Sequence, residues 1–123
     1  PYDSVEVWTS PELFQLDEGL NPTAVAGVPP DAFTADGQLW GNPLYRWDLM
    51  KENGYSWWLR RLEAAGKLYD VIRLDHFRGF ESYWAVPYGD TVAKNGKWIK
   101  GPDMDFINAV KRYNLKRWNI KLV

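Results

Sequence analysis

The chain has 123 residues, of which 46% are apolar and 16% aromatic, and a net charge of −1. That length bounds it to one domain, and the near-neutral balance supplies no field to gather nucleic acid or an anionic membrane. It has no cysteine and a single histidine, His76, which excludes disulfides and multi-thiolate or multi-histidine metal sites.

The chain starts "PYDSVEVW", on a proline and directly in patterned sequence, so it reads as opening inside a longer domain. No charged-then-apolar leader is present. No apolar run approaches the roughly 18 residues of a membrane helix. A soluble, cytoplasmic setting is therefore expected. "DSVEVW" has short apolar alternation. "SPELF" then offers a helix start, with Ser10 at the cap and Pro11 at the first helical position. The stretch from Asp17 to Pro43 holds four Gly and four Pro. That density argues against a long helix or a central strand. Phe33, Leu39 and Trp40 are too apolar for a solvated linker, so an ordered, functional loop is expected.

Helical spacing follows. Leu44, Trp47 and Met50 run to a break at Asn53-Gly54. Tyr55, Trp58, Leu59 and Leu62 then share one face, with Arg60, Arg61 and Glu63 off it. "VIRLDHF" fits a strand, with β-branched Val71 and Ile72 before Gly79. "FESYWAVPYGDTVAKNGKWIKGP" mixes strand-like aromatics with the turn signal Asn95-Gly96. "DMDFINAVKRYNL" reads as a helix capped by Asp103, and "KRWNIKLV" as one more strand. Alternating helices and strands suggest α/β units of a parallel sheet. A complete α/β barrel needs about eight units and roughly 250 residues; this chain supplies about two.

The polar groups cluster at the end of the 71–76 strand. Residues two apart share a face, so Val71, Arg73 and Asp75 point one way and Ile72, Leu74 and His76 the other. Strand C-termini are where parallel α/β sheets collect reactive groups. A neighbouring Arg favours the ionised form of a carboxylate, and an oriented carboxylate can act as a nucleophile. The same spacing also suits an Arg–Asp pair that only holds a loop. His76 suits a hydrogen-bonded wall as well as a general base, and Arg78 could pair with Glu81 or Asp70. The Trp residues can fill a core or line a ligand groove.

The strings "GVPPDAF", "GQLWGNPLY" and "RLDHFRGFESYW", in this order and spacing, closely resemble the 4-alpha-glucanotransferases called amylomaltases or disproportionating enzymes. These form glycoside hydrolase family 77, relatives of the alpha-amylase barrel enzymes. The resemblance runs from about Asp3 to Val110. It implies a partial segment of a (β/α)8 TIM-type barrel with few strands, occupying the whole chain. Within it, a lid-like loop spans about 24–43 and the nucleophile strand about 71–76.

The resemblance also implies a chemistry: an α-1,4-glucosidic bond is cut with retention and the glycosyl group passes to another sugar's 4-hydroxyl. Asp75 is carried over as the nucleophile and Arg73 as its charge partner. His76 is carried over as a sugar-contacting neighbour. "DSVEVW" resembles the family's "DSADVW", which makes Asp3 a supporting carboxylate. In the lid-like loop Phe33, Gln38, Trp40 and Asn42 are candidates for sugar contact, by stacking or hydrogen bonding. The implied partners are malto-oligosaccharides or α-1,4-glucan, with no cofactor and no metal. Open sheet edges would favour self-association. A retaining reaction needs a second carboxyl group about 5–5.5 Å from the first. In the family it lies in a segment resembling "IIAEDLG", which these 123 residues do not contain. Where it would be expected the chain reads "YNLKRWNIKLV", with no acidic residue. Glu81 is the nearest substitute, but it matches no family acid/base. A remnant that only binds glucan through its aromatics, or an amylase-like hydrolase, are the alternatives.

Overall fold

The computed structural model describes residues 1–117. A short helix, α1 (Val5–Thr9), and a 3-10 turn (Pro11–Leu13) open the chain. Two strands follow, β1 (Ala24–Val28) and β2 (Gln38–Pro43). Then come α2 (Trp47–Glu52), α3 (Ser56–Leu68) and a second 3-10 turn (Phe77–Phe80). The strands β3 (Ser82–Pro87) and β4 (Lys97–Lys100) and the helix α4 (Asp103–Arg117) complete it.

The sheet has the order β2-β1-β3-β4, and every pairing in it is antiparallel. The parallel sheet expected from helix–strand alternation is therefore not what these strands build. Two hairpins, β1–β2 and β3–β4, are joined edge to edge through β1 and β3, with α2 and α3 inserted between them. The 24–43 stretch is correspondingly not one loop. It is a hairpin whose first strand is central, despite its Gly and Pro. The prolines fall where they do no harm: Pro29 and Pro30 follow β1, and Pro43 ends an edge strand. Gly27 sits at a register shift, and a Cβ there would lie 2.7 Å from the carbonyl oxygen of Gln38. Only glycine lets the two strands approach this closely.

The helices α2, α3 and α4 form where periodicity expected them. Met50, Tyr55, Trp58 and Leu62 are buried in one core with Phe80, Phe106 and Val110. Asn53 and Gly54 break α2 from α3, and Tyr55 itself adopts a left-handed conformation, φ 61°. Phe106 is fully buried and stacks on Phe80 with centroids 4.8 Å apart. It also meets Trp47, Tyr55 and Trp58 at 5.3–5.6 Å. A second, smaller cluster of Val25, Val86 and Ala93 lies against the sheet with Trp84.

Asn95-Gly96 lies in a turn as expected, with Gly96 N–H donating to the Ala93 carbonyl at 3.1 Å, inside the long β3–β4 connection. Two local expectations change. "SVEVW" becomes α1 rather than an alternating extended run. Asp103 is the first residue of α4, at φ 51°, and its carboxylate accepts from Lys100 Nζ at 3.0 Å. Of the expected tail strand, Lys116 and Arg117 belong to α4; residues 118–123 lie outside the described residues.

The 71–76 segment forms no strand. After α3 it runs over the core without joining the sheet. Its sidedness as far as Asp75 is nonetheless the expected one, whereas His76, expected on the face of Ile72 and Leu74, is exposed at a left-handed bend. Ile72 and Leu74 are half-buried against the core, whereas Val71, Arg73 and Asp75 face out. A strand requires ladder partners for its N–H and C=O groups, and no described residue supplies them here.

Candidate functional site

A hollow of about 440 Å³ lies between the β1–β2 hairpin, the helical core and the bend at His76. That is the size of a small-ligand site. Four sequence candidates meet on its walls: Trp40, Asn42, Asp75 and His76. Local geometry explains how. In β2, Gln38, Trp40 and Asn42 are two apart and share a face. Trp40 and Asn42 reach the hollow. Gln38 does not line it, but its side-chain oxygen accepts from Trp40 Nε1 at 3.1 Å and so orients the indole.

On the opposite side the backbone turns at His76, which is left-handed (φ 49°, ψ 47°) and immediately precedes the 3-10 turn. Its ring folds back over Gly79, where a Cβ would come within 2.9 Å of the imidazole. In that position the imidazole meets Trp40 edge-on, with centroids 5.0 Å apart. Asp75 precedes the bend. It accepts from Arg73 Nη2 at 3.1 Å, and both side chains are about nine-tenths open to solvent, at 86% and 85%. An ion pair so exposed is heavily screened. It orients the carboxylate more than it stabilises the fold.

Two candidates lie away from the hollow. Phe33 is 94% exposed near the tip of the β1–β2 hairpin, and Asp3 is exposed beside α1. Neither lines the walls, although Pro1 and Ser4 do. The tip is itself ordered. The Asp31 carboxylate accepts from the backbone N–H groups of Phe33 and Thr34, both at 2.8 Å, and from the Thr34 hydroxyl. The Thr34 and Phe33 N–H bonds hold its pKa below the ordinary carboxylate range. Sequence reasoning missed Asp31, although an Asp two residues before the Phe is a recognisable Asx-turn signal.

It also missed the pair beneath the hollow. Arg61 Nη1 donates to Glu6 Oε1 at 3.0 Å, and its guanidinium lies 5.3 Å from the Trp57 ring. The pKa of the Glu6 carboxyl is lowered by a hydrogen bond from its own backbone N–H and by this arginine. No spacing rule joins residues 55 positions apart, so only the folded chain could reveal the pair. Trp47, Trp58 and Trp84 are packed and line the hollow as well. Trp58 Nε1 is buried and has no hydrogen-bond partner among the described residues.

Glu81 is engaged elsewhere. It accepts from Ser82 Oγ and from Lys100 Nζ at 2.9 Å, and these bonds lower its pKa. A carboxyl kept ionised in this way is a poor proton donor. Arg78, a candidate partner for Glu81 or Asp70, instead lies over Trp98 at 4.2 Å.

The family model for 4-alpha-glucanotransferase, glycoside hydrolase family 77, matches residues 1–121. The chain belongs to this family. It is 54% identical over 112 residues to the 4-alpha-glucanotransferase of Aquifex aeolicus, covering 91% of this chain and 23% of that protein. It is 57% identical over 100 residues to that of Thermus thermophilus, covering 81% and 20%. Among solved structures, the amylomaltase of Streptococcus agalactiae in complex with acarbose superposes with a TM-score of 0.87 at 47% identity, over 96% of this chain and 24% of that one. The chain therefore spans about a quarter or less of these relatives, and the likeness extends through both hairpins and the helices between them.

Proposed function

We propose that this chain is the nucleophile-bearing portion of a 4-alpha-glucanotransferase, which transfers α-1,4-glucan segments between malto-oligosaccharides by a retaining double displacement. The observation that carries the reading is the convergence of Asp75, His76, Trp40 and Asn42 on one hollow, in a chain of this family. In the proposed reaction Asp75 attacks the anomeric carbon while the glycosidic oxygen departs with a proton from an acid/base carboxyl, and the incoming 4-hydroxyl, losing its proton to that same carboxylate, later displaces Asp75. Arg73 keeps the attacking oxygen oriented through its ion pair. Trp40 offers an indole face to a pyranose C–H face, while Asn42 and His76 bond its hydroxyls. Asp3 and Phe33 would contact sugar from outside the hollow. With the tip of the lid-like 24–43 hairpin closed, water would compete less with the acceptor sugar.

The proton donor is the missing part. Glu81 is ion-paired, and no other acidic residue of the chain matches the family's acid/base. Loss of such a group costs about 10²–10⁴-fold. The 123-residue chain on its own is therefore proposed to be inactive, a partial catalytic barrel domain in a soluble, cytoplasmic setting. The uncovered stretch around Tyr69 and Val71, 64% and 77% exposed, favours self-association.

The test is incubation with maltotriose, with Asp75→Asn as control, followed by chromatography of products and titration of Trp fluorescence. No product together with saturable quenching, weakened in Trp40→Ala, supports the glucan-handling fragment. A ladder of longer and shorter glucans, lost in Asp75→Asn, supports transfer and removes the argument from the missing acid. Reducing ends released in step with bonds cut would replace transfer with hydrolysis. Neither product nor quenching overturns the reading for this chain.

A further inference from the structure

A second hollow, of about 460 Å³, lies behind the wall formed by Tyr45, Trp47 and Tyr83. Its other walls come from the turn around Gln15 and Thr23, the start of α2, and Ile99 and Lys100 of β4. None of the candidates read from the sequence falls on it.

The hydrogen bonding at its centre leaves two half-buried groups open to solvent or to a ligand. Gln15 Nε2 donates to the Tyr45 carbonyl and to the Tyr83 hydroxyl oxygen, both at 3.0 Å. A carbonyl can only accept, so the amide nitrogen must face it, and the orientation of the Gln15 amide is fixed. Two functions are left over. The Gln15 side-chain oxygen has no donor, and the Tyr83 hydroxyl proton has no acceptor, among the described residues. A ligand hydroxyl can accept from Tyr83 and donate to Gln15 at once, which a fully deprotonated anion or an ammonium cation cannot do.

The charges around the hollow point the same way. Arg46 pairs with Asp48 at 3.2 Å, and Lys100 pairs with Glu81 and Asp103 at 2.9 and 3.0 Å. An anionic ligand would have to compete with these carboxylates. A neutral polyhydroxyl compound can hydrogen-bond to the paired groups without separating them. The aromatic wall suits the C–H faces of such a ligand.

We propose that this hollow is a second saccharide site, which takes a neutral sugar through the Gln15–Tyr83 pair. The choice of an α-glucan as the sugar rests on the glucan-handling reading above; the demand for a neutral hydroxyl does not.

The test is a two-dimensional NMR titration of the full chain with maltose. The Gln15 side-chain amide and the Thr23 backbone amide report the second hollow, and the Trp40 indole N–H reports the first. The shared wall residues are left out as reporters. The expected result is a saturable shift of the Gln15 and Thr23 signals that persists in Trp40→Ala. Tyr83→Phe should weaken it about tenfold, the effect of losing one part-buried hydrogen bond. Ile99→Trp, which fills the hollow from β4, should abolish it and serves if Tyr83→Phe does not fold.

Gln15 and Thr23 signals that stay fixed while Trp40 moves would overturn the second site and leave the first reading standing. So would a Gln15 shift that vanishes in Trp40→Ala, since it would then be transmitted through the shared wall. If inorganic phosphate moves these signals and maltose does not, the ligand class is wrong. If Trp40 stays fixed while Gln15 and Thr23 respond, the second site stands and the first reading falls.

Discussion

The aromatic core and the reactive bend are built on opposite terms. In the core, Trp47, Tyr55, Trp58, Phe80 and Phe106 touch one another from four separate segments of the chain. Phe106 and Met50 are almost wholly buried. At the bend, Arg73 and Asp75 stand 85% and 86% open, and their segment has no ladder partner among the described residues. The core is stabilised by contacts that the chain makes with itself. The bend presents its chemistry, and its shape comes from Ile72 and Leu74 packed on the core, the Gly79 N–H bond to the His76 carbonyl and the room over Gly79 for the imidazole. Stability and proposed function are thus lodged in different residues, and substitutions can separate them.

The largest effect should come from the core. Phe106→Ala removes a ring packed on every side and leaves a cavity, which should cost about 3–5 kcal/mol. Urea unfolding is expected to shift strongly, with loss of near-UV Trp dichroism. An effect below about 1 kcal/mol would mean that the ring network is not what holds α4 in place.

The next largest should appear at high pH. Tyr55 donates to Asp105 at 2.5 Å, and burial and that carboxylate raise its pKa well above the ordinary value near 10. Burial raises Tyr45 and Tyr83 as well. The folded state therefore holds protons that the unfolded chain releases above about pH 10. The stability from these protons is fully present below that pH. It is lost as pH rises toward the folded-state values. Denaturant midpoints measured from pH 8 to 11 should fall across that window, and less steeply in Tyr55→Phe. An identical alkaline slope in the variant would contradict this assignment. At the acid end the sign reverses: the Tyr55 hydrogen bond holds Asp105 below the ordinary carboxylate range, so its contribution is lost as pH falls through the folded pKa.

A smaller effect is expected at the Glu6–Arg61 pair, which ties α1 to α3 but is nearly half exposed. Arg61→Ala should cost no more than about 1 kcal/mol, and less at high salt. Thermal melts at two ionic strengths would show it. Asp75→Asn sharpens the comparison most at the least thermodynamic cost. Its melting curve should stay within about 0.5 kcal/mol of the parent, although Asp75 is the proposed nucleophile. A marked destabilisation would place Asp75 in the scaffold and weaken its assignment to chemistry.

Much of the scaffold was legible in the sequence because its signals are local. The apolar spacing of Tyr55, Trp58 and Leu62 marked the buried face of α3, and Asn53-Gly54 marked its start. The alternation of Ile72 and Leu74 against Arg73 and Asp75 was correct even though no strand forms there, since sidedness follows from extended backbone alone. The motif strings led to the family. The glycines and prolines of 24–43 misled, because their density was weighed without their positions. Pro29, Pro30 and Pro43 sit at strand ends, and Gly27 sits where two backbones nearly touch.

What the sequence determined by itself was α2, α3 and α4, the family and the residue types available for chemistry, all of which are fixed by neighbours along the chain. Tertiary structure alone decided that the strands pair antiparallel and that Trp40 meets His76. It also decided that Glu6 finds Arg61, and that Gln15 leaves one acceptor and Tyr83 one donor open. These contacts join residues 36 to 68 positions apart in the sequence. Their partners are selected by packing and hydrogen-bond satisfaction in three dimensions, for which no local periodicity carries a signal.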